Sequence, residues 1–231
     1  MEEVLLDFNT RVSEINGYFL FLEGLIREEI KLAVVGNEGE MQIRAVNSEL
    51  AKTLKANSFL LLYNLIESSM TNAIEAIFDE LESQKVSFNS VRLELKKIVL
   101  QNFKDRSHQS VYKQITDISL DIIKVGFKRD KVFSGNIDGD KITDTARQFG
   151  FSYDTDYAKT KHGKGLYDIK KKRNSLAHGH KSFAEVGRDT GISDLITSKD
   201  EVVEYIRQIL QNIESYLNSK EYLDSSHLVV S

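Results

Sequence analysis

Arg173 and His178 are the residues whose types and spacing best suit a chemical reaction in this chain. A planar guanidinium holds phosphate oxygens two at a time and steadies negative charge as it develops. An imidazole exchanges protons near neutral pH. Together they suit cleavage of a phosphodiester. If the strand is RNA, its own 2′-hydroxyl can act as the nucleophile, so no metal and no protein nucleophile is needed. The product would be a 2′,3′-cyclic phosphate, and DNA would be spared because it lacks that hydroxyl. The plainer alternative is a basic helix end, because cations near a helix C-terminus are favoured by the dipole without any catalysis.

The neighbourhood of the pair adds further candidates. Three of the five histidines fall between residues 161 and 181, along with the densest basic run, Lys170-Lys171-Lys172-Arg173. Asn174 and His178 are four apart and share a helix face. Arg173 is offset around the helix, but its side chain is long. Lys170, Lys171 and Lys172 point in different directions on a helix. One or two of them could line a groove and contact RNA phosphates without reading sequence; otherwise they form a solvated face. His180 also satisfies a looser arginine–histidine spacing, but it follows the helix-ending Gly179. Asn64 is the only polar residue in the run 59–66, and Glu67 lies one turn on. A buried carboxylate needs a partner, and Arg173 is the candidate. The alternative is that Asn64, Glu67, Thr71 and Glu75 make an ordinary wet face. His162, His178 and His180 have no carboxylate at a ligand spacing, so no metal site and no cofactor is expected. Tyr153, Tyr157 and Tyr167 could stack on bases, although interior packing is the default for aromatics.

The elements that must position these residues read as helices. Leu5, Phe8, Val12, Ile15, Phe19, Leu22, Ile26 and Ile30 step by threes and fours, one stripe along a long N-terminal helix. That stripe must pack on a helix of this chain or of another. Gly36-Asn37-Glu38-Gly39 breaks the pattern. A second helix is expected over 48–81; its middle is apolar almost all round, as a central helix is. Further helices are expected over 90–103, 107–125, 141–149 and 164–178, with Gly150 and Gly179 closing the last two. Residues 151–163 and 180–191 read as loops. The last helix is expected from Ser198, where Ser198 and Glu201 match a capping box. The expected organisation is an N-terminal helix and connecting loop over 1–47, a helical domain over 48–222 and a frayed tail over 223–231. The N-terminal helix could be an appendage.

Composition agrees. Proline is absent from all 231 residues, where about ten would be usual, and proline is the residue that breaks helices. Cysteine is absent too, which excludes disulfides, thiolate metal sites and cysteine nucleophiles. The acidic start, Met1-Glu2-Glu3-Val4, lacks the basic flank of a signal peptide, and the apolar runs are too short to span a bilayer. A cytoplasmic location and no membrane partner are expected. The net charge of −4 means that any RNA-binding surface is local.

The segment Arg173-Asn174-Ser175-Leu176-Ala177-His178 resembles the Arg-x4-6-His signature of the HEPN superfamily (higher eukaryotes and prokaryotes nucleotide-binding). The chain is similar to the MAE-type HEPN-like nucleases in particular. The resemblance rests on Leu62-Tyr63-Asn64-Leu65-Ile66-Glu67-Ser68, Gly135-Asn136-Ile137-Asp138, Phe149-Gly150-Phe151 and Lys172-Arg173-Asn174-Ser175-Leu176-Ala177-His178-Gly179, and it covers roughly 48–216. It implies an all-α helical bundle, usually dimeric, with two signatures facing each other in a composite site. It implies an endoribonuclease of toxin or antiviral-defence systems, in which Arg173 contacts the scissile phosphate, His178 transfers protons and Asn174 orients both. A homodimer would let two histidines serve as base and acid. An antitoxin or defence-system partner is also implied. Many such toxins carry a tyrosine two places after the histidine, where a partner nucleotidyltransferase modifies them; His180 stands there instead. The family also has members that bind RNA or nucleotide, or act as adaptors, without catalysis. A purely structural dimer built on the N-terminal stripe is a further alternative.

Overall fold

The computed structural model describes residues 1–36, 39–104, 122–123, 133 and 135–224. The helix expected over 107–125 lies almost wholly outside the described residues, as do Ser134 of the expected turn and the tail after Asp224. The described chain is all-α apart from one small hairpin.

The central element is α2 (Ser48–Ser83), 36 residues with no glycine in its interior. Asn47 starts it by accepting the Glu49 amide at 2.8 Å, a standard N-cap arrangement. Phe59, Leu62, Tyr63, Leu65, Ile66, Met70, Ile74 and Ile77 are all buried, on several faces of the helix. Helix α1 (Glu2–Ile26) lays Phe8, Val12, Ile15, Phe19 and Leu22 against this core. It packs on α2 and on α8 (Ile192–Asn218), so the stripe is covered within the chain. Ile30 falls past the end of α1 and is partly exposed.

The connection between α1 and α2 is not a plain loop. Strands β1 (Leu32–Val35) and β2 (Met41–Arg44) pair antiparallel, Leu32 opposite Arg44 and Val35 opposite Met41. Gly39, at φ +85°, takes a turn conformation open to glycine. All eight strand residues are exposed.

After α2 come α3 (Leu93–Lys104) and α4 (Gly139–Phe149). Asp138 caps α4 by accepting the Lys141 amide at 2.9 Å, and Gly150 closes it at φ +88°. The segment expected as loop over 151–163 contains a short helix α5 (Tyr157–Thr160) and a 3-10 turn (Lys161–Gly163). Helix α6 (Gly165–Ala177) follows. The second expected loop holds α7 (Phe183–Arg188), which starts with a full capping box between Ser182 and Glu185. Gly187 lets α7 lie directly on α2: a Cβ there would meet the Lys52 carbonyl oxygen at 1.9 Å. Helix α8 begins at Ile192, ahead of the expected Ser198, because fully buried Leu195 extends its apolar face by two turns. Ser198 and Glu201 therefore sit inside the helix. Among the described residues no helix is long and apolar enough to cross a membrane.

Candidate active site

Helix α6 carries the candidate residues and is fixed by Leu166, Ile169 and Leu176, which are buried against α2, α8 and their neighbours. Its end is tightly wound. The His178 amide bonds to the Asn174 carbonyl (3.0 Å), the Gly179 amide to Leu176 (3.1 Å) and the His180 amide to Ser175 (2.9 Å). Gly179 sits at φ +66°, a left-handed helix ending for which glycine is the natural residue. This closure holds the backbone of His180 as well as that of His178.

Arg173 is three-quarters covered and has partners on every side. Its Nη1 donates to Asn174 Oδ1 at 2.8 Å and to the Gly135 carbonyl at 3.3 Å. Nη2 lies 3.7 Å from Glu67 Oε2, so the expected Glu67–Arg173 pair forms. The guanidinium carbon sits 4.2 Å from the centre of the Tyr63 ring, a cation–π distance. The Tyr63 hydroxyl accepts the Ile137 amide at 3.1 Å, which ties the 135–138 segment to α2 beneath the arginine. Burial pushes the Tyr63 hydroxyl pKa above its ordinary value. Gly135, at φ +72°, brings its carbonyl up to the guanidinium.

Asp138 extends this arrangement. It is buried, and besides capping α4 it accepts the Lys170 ammonium. Burial would raise its carboxyl pKa, but the Lys170 ammonium and the amides of Lys141 and Asp140 outweigh that and hold it below the usual carboxylate value. Tyr63, Gly135 and Asp138 were not singled out as site residues from the sequence. The only signal was their presence in the family-like segments.

The other candidates lie further apart. Asn64 is on the exposed side of α2, as the wet-face alternative has it, and makes none of the bonds around Arg173. His178 and His180 are exposed, with ring centres 5.7 Å apart. Five residues along a helix correspond to a rotation of about 140°, and no hydrogen bond joins Arg173 to His178. Asn174 stands between them: it is bonded to Arg173, and it lies one turn before His178 on the same face. The three lysines diverge. Lys170 turns to Asp138. Lys171 is exposed. Lys172 lies over the Phe59 ring at 4.3 Å and bonds to Thr190 Oγ1 at 3.2 Å; burial lowers its ammonium pKa. Lys171 and Lys172 line a cavity of about 240 Å³ between α6 and α7, together with Asp168, Ser175, Lys181 and Asp189. His162 bonds through Nδ1 to Thr155 Oγ1 at 3.0 Å, away from the other two histidines. Among the described residues no group of three or more His, Cys, Asp or Glu is placed to hold a metal ion.

The arrangement offers a fixed guanidinium, a polar amide beside it and two exposed imidazoles at the end of the same helix. A family model described as HEPN_MAE_28990-like HEPN matches residues 1–222. Neither a curated protein nor a solved structure matches the chain.

Proposed function

This chain belongs to the HEPN family, and on that premise we propose that it is an endoribonuclease that cleaves RNA through its 2′-hydroxyl, without a metal. Arg173 binds the scissile phosphate and offsets the charge of the pentacoordinate transition state. His178 moves the protons, and Asn174 holds the guanidinium in register. Glu67 and Tyr63 support the arginine from behind, and Lys171 and Lys172 add phosphate contacts on the flank. The observation that carries this reading is the seating of Arg173, whose guanidinium is fixed by Asn174, Gly135, Glu67 and the Tyr63 ring on the helix that ends in the exposed His178.

Because Arg173 and His178 of one chain point apart around α6, the working site combines two copies in a homodimer. One copy's histidine then serves as base and the other's as acid, which a single imidazole cannot do at once. The setting is a cytoplasmic toxin or antiviral-defence system with an antitoxin or activating partner. Purified protein in EDTA should cut a mixed-sequence RNA and spare the matching DNA. Arg173→Ala and His178→Ala should both lose cutting while keeping the wild-type circular-dichroism spectrum. His180→Ala should retain it. If both key variants cut RNA at the wild-type rate, the assignment is wrong. On expression, growth arrest relieved by His178→Ala would place the activity in a toxin.

A second reading is favoured by one observation: the Arg173 guanidinium is already engaged by Asn174, Gly135, Glu67 and the Tyr63 ring. In that case the protein is a non-catalytic RNA- or nucleotide-binding HEPN module, or an adaptor. It would retard RNA in a gel without cutting it, with affinity falling as salt rises.

A further inference from the structure

Interior packing is the default for aromatics, but the tyrosines of this region are exposed. Among the described residues the exposed tyrosines are Tyr153, Tyr157 and Tyr167, all within the stretch leading into α6. Each has a cation over its ring. Arg147 is 5.1 Å from the Tyr153 centre, Lys161 is 5.3 Å from that of Tyr157, and Lys170 is 5.3 Å from that of Tyr167. Lys164, which precedes α6 as its N-cap, also reaches over Tyr157 at 5.9 Å.

The register of α6 puts Tyr167 on one line with the candidate residues, and Tyr157 adjoins that line through Lys164. Positions 164, 167, 171, 174 and 178 are separated by three, four, three and four residues, so Lys164, Tyr167, Lys171, Asn174 and His178 share a helix face. That face is opposite buried Leu166, Ile169 and Leu176. Tyr157 joins its far end through Lys164. From Tyr167 to His178 the line is about 16 Å long, enough for about five nucleotides at the ~3.4 Å rise of a stacked strand.

We propose that this face is a binding track for single-stranded RNA, with Tyr157 and Tyr167 stacking bases several nucleotides from the scissile phosphate. This rests on the endoribonuclease reading and adds to it the residues that would hold the strand away from the scissile phosphate. Aromatic faces with interleaved cations suit that ligand: every base has a face to stack, and the ammonium groups meet the phosphates between bases. A duplex keeps its bases stacked inside and offers the tyrosines nothing to stack on.

The test measures binding separately from cutting. A fluorescein-labelled 2′-O-methyl RNA 12-mer has no free 2′-hydroxyl and cannot be cut by this route, so its binding to the full chain can be followed by anisotropy. Tyr157→Ala and Tyr167→Ala should each weaken binding by roughly five- to a hundred-fold. Tyr157→Phe and Tyr167→Phe should bind as wild type, which guards against a folding artefact. A duplex of the same sequence should bind more weakly than the single strand. Alanine variants that bind as tightly as wild type would overturn the proposal. So would an abasic strand that binds as well as the base-bearing one, or no binding by the wild-type protein. Unmodified RNA, given to the same proteins, separates the two ideas. Cutting with tyrosine-independent binding removes the track and leaves the nuclease. Tyrosine-dependent binding without cutting leaves the track and removes the nuclease.

Discussion

At the scale of single residues, the account depends on a guanidinium held in one place. Lysine cannot reproduce the planar fork by which Arg173 reaches Asn174 and Gly135 through Nη1 and faces Glu67 through Nη2. Arg173→Lys should therefore lose RNA cutting by about a hundred-fold or more, read as an initial rate, even though it keeps the charge. Asp138 is the matching structural residue. Asp138→Ala removes both the α4 cap and the partner of Lys170, and should cost about 2–3 kcal/mol in urea unfolding. Its acid dependence has a fixed sign. The folded pKa is held below the ordinary 3.8. The carboxylate's contribution is therefore complete above that value and fades as the pH falls through the folded one. The stability gap between wild type and Asp138→Asn should then shrink between about pH 5 and pH 2; a gap that widened would contradict the pairing. The sequence made the Glu67–Arg173 pair legible, because a carboxylate on an apolar helix needs a cation. It did not reveal Tyr63, Gly135 or Asp138 as partners, because their contacts join segments far apart in the chain and leave no local spacing to read.

At the scale of elements, periodicity identified the long helices and missed the short ones. Helices α1, α2, α6 and α8 carry stripes several turns long. Helix α5 has a single turn and α7 has six residues, so neither builds a period. The α7 capping box, Ser182 with Glu185, was present in the sequence but fell in a stretch read as loop. The Ser198–Glu201 pattern matched the same motif and proved to be helix interior, because a cap signal means little unless the apolar pattern begins with it. The hairpin was missed because runs of four residues are too short to separate from loop. Two substitutions test the packing of these elements. Gly187→Ala places a methyl 1.9 Å from the Lys52 carbonyl and should destabilise the chain by about 2 kcal/mol or more as α7 is forced off α2. Ser69 buries its hydroxyl in α2 with no hydrogen-bond partner among the described residues. Ser69→Ala should leave stability unchanged or raise it by up to about 1 kcal/mol, measured as the urea midpoint.

At the scale of the whole molecule, α1 shares one core with α2 and α8 rather than standing apart. A chain lacking residues 1–47 would expose the apolar faces of α2 and α8 that α1 packs against, and it should lose its cooperative unfolding transition. The charge is uneven in a way that the net value hides. Glu2, Glu3, Asp7, Asp79 and Glu80 line a groove of about 550 Å³ between α1 and α2, while lysines gather around α6. On the proposed function, this local distribution is what would let a chain of net charge −4 bind RNA in one place, and RNA affinity should fall steeply with added salt. The most direct test of the central claim is mass spectrometry of the RNA ends left after incubation in EDTA. The account predicts 2′,3′-cyclic phosphates from the wild-type protein and none from Arg173→Ala or His178→Ala. Intact RNA, or fragments ending in a free 3′-hydroxyl, would contradict it.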